Sequence, residues 1–450
     1  MSTAKYYIKT FGCQMNVYDS HRIGTILNTL GYEETATPHA ADIIIFNTCH
    51  IREKAAEKVF SDLGRAEKIK QERAAEGKDT IIGVIGCVVQ AEDEQIAKRA
   101  PFVDFAAGPL TYHRLPEILA KVKRRRGQSI IDTEFPAEAK FDFLPDNTSS
   151  GACSFLAIQE GCNNFCTYCV VPYTRGVEYS RPIAEILKEA RRLVATGTLE
   201  INLLGQNVNS YHGEDEAGRE RGLDYLLRRI AEIDGLQRIR YTTSYPADMT
   251  DELIACHHEL PQLMPYLHLP IQSGSDSILK AMNRRHTRDD YLRVVDKLYQ
   301  ANPDIRMSSD FIVGFPGESD ADFEATLEVV RKVGYIQAFS FKYSRRPGTP
   351  AALMPNQVEE KTKRERLDIL QNLLVSQQLK FNKEAVGKIL PVLFETKGRH
   401  HGQLIGRTPY MQNLHAELGR EYLNRIVDIK VTEATANSLS GVTALSVKAS

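Results

Sequence analysis

The first third of the chain alternates short apolar runs with longer segments of helical periodicity. Residues 6–11, 42–46 and 80–85 are apolar runs that predict strands, and residues 20–30 and 51–70 predict helices. Strands of nearly continuous apolar sequence are typical of parallel sheets, which helices cover on both faces. The pattern therefore predicts an N-terminal α/β domain built on a parallel sheet.

The same alternation continues from residue 153 to about residue 350. Six further strands are predicted at 153–159, 200–204, 238–242, 266–269, 307–313 and 337–341. Helices are predicted at 183–195, 223–233, 251–260, 277–283, 288–301 and 321–333. Six strand–helix units predict a partial TIM-like (β/α)6 barrel, and active sites of such barrels lie at the C-terminal ends of the strands.

The pattern changes again near the C-terminus. Residues 357–381 predict a long helix, with leucines at roughly helical spacing. After Gly387, short strands are predicted at 388–396, 403–406, 425–432 and 444–448, separated by glycines and polar turns. These strands predict a small β-barrel of OB-like type, so the whole chain belongs to the α/β class with an added small barrel.

A polar, proline-containing stretch at 135–150 predicts a linker, and the basic run at 121–127 predicts a solvated helix end. A length of 450 residues suits about three domains. We expect an N-terminal domain at 1–148, a barrel domain at 149–378 and a small C-terminal domain at 379–450.

Composition narrows the class of protein. Hydrophobic residues make up 42% and charged residues 26%, no apolar run approaches the length of a membrane span, and the N-terminus lacks the apolar core of a signal peptide. We therefore expect a cytoplasmic protein with no membrane contact. The net charge of −1 gives no global attraction for nucleic acid, although residues 382–448 hold nine Lys or Arg and six Asp or Glu.

Eight cysteines in such a chain favour metal binding or catalysis over disulfides. Three of them, Cys162, Cys166 and Cys169, form the spacing C-x3-C-x2-C in a loop rich in Asn and Gly. A structural zinc site normally has four protein ligands, whereas three thiolates on a [4Fe–4S] cluster leave one iron open for chemistry. Cys153 and Cys256 lie in a predicted strand and a predicted helix, and Cys256 is expected to be structural.

Three more cysteines, Cys13, Cys49 and Cys87, each lie just past the C-terminal end of a predicted N-terminal strand. Ligands of parallel sheets bind outside the carboxyl ends of the strands, so these cysteines could converge on one edge. They predict a second cluster with an open iron. The alternative is three unrelated core cysteines, since free cysteine is often buried.

The C-x3-C-x2-C motif resembles that of the radical S-adenosylmethionine (SAM) enzymes. Residues 12–20 and 47–54 resemble the N-terminal domain of the methylthiotransferases. They are most similar to the tRNA branch, because Gln14-Met15 stands where the ribosomal-protein branch typically has Pro-Lys. His50 departs from the small residue of the family and is a weak ligand candidate. Residues 397–408 resemble the TRAM domain, an RNA-binding module.

The resemblance implies two [4Fe–4S] clusters, SAM and a division of labour. The cluster on Cys162, Cys166 and Cys169 would bind SAM and cleave it to a radical, and the cluster on Cys13, Cys49 and Cys87 would hold the sulfur to be inserted. A second SAM would methylate that sulfur. The product would be a methylthio group on carbon 2 of N(6)-isopentenyladenosine at tRNA position 37. The residues implied to face SAM are Tyr168 near the adenine, Gly205 and Gln206 at the methionine amino group, Asp310 at the ribose, Ser244 and Gln272.

The implied partners are tRNA, through its anticodon stem-loop, and an external electron donor such as a flavodoxin-type protein; we expect a monomer. Basic spots at Arg175, 284–286 and 345–346 are candidate RNA contacts. Two alternatives stay open. One is a sibling methylthiotransferase acting on threonylcarbamoyl-adenosine in tRNA or on a ribosomal protein. The other is a non-catalytic RNA-binding protein stabilised by zinc.

Overall fold

The computed structural model describes residues 3–50, 53–125, 127–136, 138–147 and 151–444, with the backbone alone at 53–57. The chain forms two compact units. The first unit comprises Met1–Ser149, Glu160–Asn163 and Val170–Tyr179, and the second comprises Ser150–Gln159, Asn164–Cys169 and Ser180–Ser450. The domain limits at 148 and 378 stay a prediction.

The first unit is built on a parallel sheet, as its apolar runs predicted. Within the described residues its strands are β1 Lys5–Thr10, β2 Glu33–Glu34, β3 Ile43–Thr48, β4 Ile81–Gly86, β5 Phe105–Ala107 and β6 Ile130–Asp132. Their order is β2-β1-β3-β4-β5-β6, and every neighbouring pair is parallel. The helices of this unit are α1 Gln14–Thr29, α2 Glu53–Ala75, α3 Cys87–Arg99, α4 Leu115–Arg124 and α5 Val171–Arg175.

Apolar side chains cover both faces of this sheet. Ile44 and Phe46 of β3 pack into the apolar cluster on one face, while Ile43 and Ile45 pack into the cluster on the other. Side chains alternate across a strand, so a run of apolar residues fills both layers at once. The three strands that were predicted are the long ones, and the additional strands β2, β5 and β6 are two or three residues long.

In the part of the second unit that the structure describes, six parallel strands form two three-stranded sheets, with the orders β13-β10-β7 and β14-β15-β16. A parallel bridge between Ile239 and Leu263 connects the two sheets, which gives the predicted partial barrel. The strands from residue 153 to residue 342 are β7 Cys153–Ala157, β8 Gln159–Glu160, β9 Tyr179–Ser180, β10 Glu200–Leu204, β11 His212–Glu214, β12 Glu220–Gly222, β13 Arg238–Tyr241, β14 Tyr266–His268, β15 Arg306–Val313 and β16 Gln337–Lys342.

The helices of the second unit pack around this partial barrel and share its apolar core. They are α6 Ile183–Ala195, α7 Leu223–Ala231, α8 Asp251–Glu259, α9 Asp276–Ala281, α10 Arg288–Ala301, α11 Asp320–Val333, α12 Pro350–Leu353 and α13 Glu360–Glu384. Cys256 of α8 is fully buried in that core, with its thiol 3.4 Å from the carbonyl oxygen of Glu252, so it is structural as predicted. Of the helices that the structure describes, none is long and apolar enough to cross a membrane.

The C-terminal part is a closed barrel with the strand order β17-β18-β19-β21-β20. Its strands are β17 Ile389–Lys397, β18 Gln403–Arg407, β19 Asn413–Glu417, β20 Ile426–Ala434 and β21 Leu439–Thr443. The small barrel was predicted, but β19 was not. The last strand is β21, not residues 444–448, of which 445–448 lie outside the described residues.

Two arginines of β13 join this small barrel to the second unit's partial barrel. Arg238, the first residue of β13, and Arg240, its third, are buried and lie 3.6 Å and 2.9 Å from the carboxylate of Glu200, the first residue of β10. Their remaining N–H groups donate to backbone carbonyl oxygens of the small barrel, those of Pro391, Arg407, Thr408 and Pro409. The small barrel therefore contacts the end of the strands opposite to their C-terminal ends.

Candidate active site

Three cysteines lie at one edge of the first unit's sheet. Cys13 immediately precedes α1, Cys49 follows β3, and Cys87 is the first residue of α3, directly after β4. Since β1, β3 and β4 are adjacent and parallel, their C-terminal ends bring these cysteines together. The placement is the one that the sequence predicted, and the role of the thiols as cluster ligands stays a prediction.

Glycines make this close approach possible. Gly12 has a φ of +103°, and a Cβ there would lie 2.2 Å from the Cβ and 2.7 Å from the Sγ of Cys49. Gly86 has a φ of +109°, and its Cβ would lie 2.4 Å from the carbonyl oxygen of Thr48. Glycine alone adopts such φ values without strain and leaves room for a neighbouring backbone. Each glycine stands directly before one of the cysteines.

Hydrogen bonds from two buried polar side chains connect the three strand ends. Asn16, in the first turn of α1, donates through Nδ2 to the carbonyl oxygens of Phe11 (2.9 Å) and Thr48 (2.8 Å). The hydroxyl of Thr48 donates to the carbonyl oxygen of Ile85 at 2.8 Å. These bonds connect the chain beside Cys13 to the ends of β3 and β4.

The thiols are close enough to affect one another. A hydrogen bond with Cys49 is the main reason why the pKa of Cys13 falls to about 6, and the charge of Arg175 lowers it further against the effect of burial. Burial raises the pKa of Cys87, while Arg175 and its hydrogen bond act in the opposite direction. Thiolate is the form that binds metals, so the positive charge of Arg175 favours ligation by this set.

Four buried charges lie beside this cysteine set, all within the first unit. Arg175 of α5 donates to Asp19 Oδ2 and to Glu160 Oε1, both at 2.7 Å. Lys140 Nζ lies 3.3 Å from Asp19 Oδ1 and 2.6 Å from Glu160 Oε2. All four side chains are at most 4% exposed. Burial would raise the pKa of Asp19, but the charges of Lys140 and Arg175 outweigh it and hold that pKa below its usual value.

Cys162, the first cysteine of the C-x3-C-x2-C motif, belongs to the first unit. Its backbone N–H donates to the carbonyl oxygen of Gly176 at 3.2 Å. The preceding Gly161 has a φ of +76°, and a Cβ there would lie 1.9 Å from the carbonyl oxygen of Val177. The segment that carries Cys162 is thus packed directly against the two residues that follow Arg175.

Cys166 and Cys169 belong to the second unit, where the backbone N–H of Cys169 donates to the carbonyl oxygen of Cys166 at 2.9 Å. The side chain of Asn283 donates to the carbonyl oxygens of Asn164 and Phe165, both at 3.1 Å. Phe165 has a φ of +46°, which is uncommon for a bulky residue. The segment after α9 therefore holds this loop in a strained conformation.

Arg284 lies against the second of these cysteines. Its Nη1 is 3.8 Å from the Sγ of Cys166, its Nη2 donates to the carbonyl oxygen of Pro270 at 2.6 Å, and its guanidinium lies over the ring of Tyr245 at 4.1 Å. Three contacts fix a positive charge and an N–H donor at one thiol.

Of the six residues that the resemblance implies to face SAM, five lie on or after strands of the second unit, towards their C-terminal ends. Gly205 and Gln206 follow β10, Ser244 follows β13, Gln272 follows β14, and Asp310 lies on β15. Tyr168 lies between the last two cysteines of the motif and packs against the apolar cluster that contains Met282 and Phe315. Ser244 is buried, and its hydroxyl has no hydrogen-bond partner among the described residues.

Comparison with known proteins identifies the family. Residues 5–108 match the model described as uncharacterized protein family UPF0004, residues 156–330 match the radical SAM superfamily, and residues 383–443 match the TRAM domain. A tRNA-2-methylthio-N(6)-dimethylallyladenosine synthase of Maricaulis maris (strain MCS10) is 54% identical over 448 residues, which are 98% of this chain and 98% of that protein. The chain belongs to this synthase family.

Solved structures with the same fold are far more distant in sequence. The radical SAM methyltransferase TsrM of Kitasatospora setae aligns with a TM-score of 0.57 at 13% identity, over 78% of this chain and 74% of that one. The cobalamin-dependent SAM radical enzyme OxsB aligns with a TM-score of 0.53 at 13% identity, over 82% of this chain and 56% of that one. These likenesses support the fold of this member of the synthase family.

The chemistry of the cysteine sets of this synthase-family member fits iron–sulfur clusters. Cysteine thiolates hold such clusters, and each thiolate binds one iron. Six thiols in two sets of three, a lowered Cys13 pKa and an arginine beside each set fit such clusters. The unpartnered hydroxyl of Ser244 fits a polar ligand such as SAM.

Several basic residues lie in environments that differ from those the sequence predicted. Arg175 does not contact RNA, since its side chain is 4% exposed and bonded to two carboxylates. His286 is buried, and Arg284 is half-buried against Cys166, so neither serves as a surface contact. Lys140, in the stretch predicted as a linker, is buried among charges. Arg285, Arg345 and Arg346 stay candidate RNA contacts.

His50, the weak ligand candidate, has a partner of another kind. Its Nε2 lies 2.7 Å from Oε1 of Glu92, where α3 departs from helical geometry at a φ of −143° and a ψ of 38°. Cys153 accepts a hydrogen bond from Asn202 Nδ2 at 3.0 Å, within the second unit's sheet. The sequence analysis assigned no role to Asn16, Asp19, Lys140 or Glu160. Asn16, Asp19 and Glu160 lie within six residues of a cysteine in the chain, which is a signal that could have found them. Lys140 has no such signal.

Proposed function

We propose that this chain transfers a methylthio group to carbon 2 of N(6)-isopentenyladenosine, also called N(6)-dimethylallyladenosine, at position 37 of tRNA. The observation that carries the proposal is the 54% identity to the Maricaulis maris synthase over 98% of both chains. The two three-cysteine sets support it, because this reaction needs two metal centres with an open position each.

We assign the six cysteines to two [4Fe–4S] clusters. Cys162, Cys166 and Cys169 would hold the cluster that binds SAM, and Cys13, Cys49 and Cys87 would hold the cluster that carries the sulfur. Together with SAM, these groups supply the radical chemistry, the sulfur and the methyl group that side chains cannot provide. The chain itself positions these groups and tunes their surroundings.

The second unit supplies the groups that hold SAM and one thiolate. Arg284 donates an N–H to the Cys166 sulfur and keeps a positive charge there. Ser244 donates its hydroxyl to a polar atom of SAM, and Asp310 accepts from the ribose hydroxyls. Tyr168 packs near the adenine, while Gly205, Gln206 and Gln272 line the remaining strand ends. Burial of Tyr168 raises the pKa of its hydroxyl well above the usual value, so it stays neutral.

The parts of the chain have separate tasks in this proposal. Residues 1–148 hold the sulfur-carrying cluster, residues 149–378 hold SAM, and residues 379–450 bind the tRNA backbone through the TRAM barrel. The substrate is the anticodon stem-loop of tRNA, so we place the reaction in the cytoplasm. An external protein of flavodoxin type supplies electrons, and the enzyme acts as a monomer.

Nucleoside mass spectrometry on tRNA from cells that lack the gene tests the proposal. We expect the methylthio form to disappear and the isopentenyl form to accumulate. Return of the wild-type gene should restore the methylthio form, and unchanged tRNA nucleosides would show that the substrate assignment is wrong.

Purified variants separate the two cysteine sets. Cys166→Ala should abolish SAM cleavage, whereas Cys87→Ala should leave cleavage to 5′-deoxyadenosine without methylthiolated product. Cys256→Ala is the matched control, since it removes a buried cysteine outside both sets and should leave product formation intact. Equal loss of SAM cleavage in the first two variants would contradict the division of labour, and stoichiometric zinc in place of about eight irons would contradict the enzyme assignment.

A further inference from the structure

The four-charge network of Asp19, Lys140, Glu160 and Arg175 costs desolvation free energy, because all four charges are buried. Two carboxylates and two cations are almost fully removed from water within the first unit. Buried ion pairs rarely stabilise a protein more than apolar residues of the same volume, because desolvation costs several kcal/mol per ion. A network of this kind is better explained by the geometry that it imposes.

The network connects two cysteine-bearing segments of the first unit that are distant in sequence. Asp19 lies on α1, six residues after Cys13, and Glu160 lies two residues before Cys162. Arg175 bonds to both carboxylates through different guanidinium nitrogens. Arg175 and its partner Asp19 are 156 positions apart in the chain.

A second set of contacts fixes the segment that carries Cys162. The residue after Arg175 accepts the hydrogen bond from the Cys162 backbone, and the residue after that packs against Gly161. The backbone N–H of Glu178 donates to Asn163 Oδ1 at 3.0 Å. Movement of Arg175 would therefore displace the backbone on both sides of Cys162.

Arg175 also contacts a residue beside the other cysteine set. Its Nη2 lies 3.3 Å from Oδ1 of Asn16, the side chain that connects the ends of β1 and β3. One guanidinium thus contacts Glu160, two residues before Cys162, and Asn16, whose Oδ1 accepts from the thiol of Cys13.

We propose that Arg175 is a positioning residue for methylthiolation: bridged between Asp19 and Glu160, it fixes Cys162 relative to the set of Cys13, Cys49 and Cys87. The inference rests on the proposed function, in which one set carries sulfur and the other serves the radical step. Sulfur insertion needs both centres at a defined separation, whereas SAM cleavage needs one of them.

Arg175→Met tests this assignment, since it removes the charge and the five donors at similar length. We expect product per SAM cleaved to fall by roughly 10- to 100-fold, since a displacement of about 1 Å can cost that much, and we expect SAM cleavage itself to fall by less than that. Arg175→Lys should recover little, because one ammonium cannot reproduce the planar fork that reaches both carboxylates. Arg73→Met is the matched control.

Arg73 is a buried arginine of the same unit that bonds to Asp42 Oδ1 and Thr80 Oγ1, both at 2.7 Å. Those partners lie before β3 and β4, at the sheet edge opposite to the cysteines. Its loss should lower stability and leave product per SAM cleaved unchanged. A general effect of removing a buried arginine would appear in both variants.

A readout that needs no turnover is hydrogen exchange in the cluster-free chain. If Arg175 holds the segment, amide exchange at residues 161–163 should rise at least several-fold in Arg175→Met and stay at the wild-type rate in Arg73→Met. Should Arg175→Met fail to fold, Glu160→Gln removes one carboxylate at constant shape and should also lower product per SAM cleaved.

The outcomes separate this inference from the proposed function. Wild-type enzyme that makes no methylthiolated tRNA would refute the function itself. If the wild type makes product and the product per SAM cleaved is unchanged in both Arg175→Met and Glu160→Gln, the role of Arg175 is refuted and the proposed function is not. Unchanged exchange at 161–163 in a folded Arg175→Met would refute it too.

Discussion

Replacing Gly12 with alanine places a methyl group inside the cysteine edge of the first unit. The new Cβ would lie 2.2 Å from the Cβ of Cys49, whereas carbon atoms in contact are about 3.5–4 Å apart. Cys49 must therefore move by more than about 1 Å. The positive φ of Gly12 costs an alanine about 1–2 kcal/mol, and overpacking adds about 1–3 kcal/mol. The expected loss of stability is roughly 2–5 kcal/mol.

Gly31→Ala separates the two contributions. Gly31 also has a positive φ, +83°, and belongs to the same unit, but a Cβ there meets nothing within 4 Å. Its substitution should cost only the backbone part, about 1–2 kcal/mol. Urea unfolding of the cluster-free chains measures both losses. Iron and sulfide analysis after reconstitution should give about eight irons for Gly31→Ala and about four for Gly12→Ala, because displaced Cys49 no longer completes its set.

Two results would show that this reasoning is wrong. Equal stability of the two variants would mean that the space beside Cys49 does not limit the residue at position 12. A Gly12→Ala protein with about eight irons and normal product formation would mean that the cluster tolerates a displaced Cys49, or that Cys49 is not a ligand.

Three further predictions concern the second unit. Glu200→Gln should lower the free energy of unfolding, measured with urea at pH 7, by roughly 3–5 kcal/mol, because Arg238 and Arg240 lose a buried charged partner. Burial opposes but does not overcome the charges of Arg240 and Arg238, which lower the pKa of Glu200. The stability that ionised Glu200 contributes is therefore complete above the ordinary carboxyl pKa and declines as pH falls below it. If stability depended on pH in the same way in Glu200→Gln and in the wild type, this reasoning would be contradicted. Arg284→Met should lower the reduction potential of the SAM-binding cluster in a potentiometric EPR titration, since hydrogen bonds to cluster sulfurs help to set it, and an unchanged potential would refute the contact. Lys397→Glu with Arg399→Glu should weaken tRNA binding and reduce its salt dependence by about one unit of slope per lost phosphate contact, with tRNA-free SAM cleavage unaltered.

Local pattern was enough for the elements that carry the cysteines. The strands β1, β3 and β4 are long apolar runs, and Cys13, Cys49 and Cys87 follow them at once, so the rule for parallel sheets placed all three. The strands β2, β5 and β6 were missed because two or three residues carry no periodic signal. The strand β19 was missed because Asn413–Glu417 is a short segment of mixed polarity.

Long-range pairing explains the remaining differences. Arg175 was interpreted as a candidate RNA contact because its neighbours in the chain give no sign of burial, whereas its partners Glu160 and Asp19 are 15 and 156 residues away. Lys140 belongs to a proline-containing stretch that has the composition of a linker, yet tertiary contacts bury it. The environment of a charged side chain depends on the whole fold, whereas a strand depends mainly on its own sequence.

The hydrogen bonds between β13 and the small barrel have a consequence for which substitutions this protein can tolerate. Arg238 and Arg240 donate to four carbonyl oxygens of the small barrel, and a carbonyl is the same whichever side chain it carries. A substitution at the half-buried Arg407 can therefore alter the surface chemistry of that barrel while its orientation is retained. Changes to the barrel's side chains are thus separated from the docking of the barrel, and changes at Arg238 or Arg240 are the ones that selection should remove.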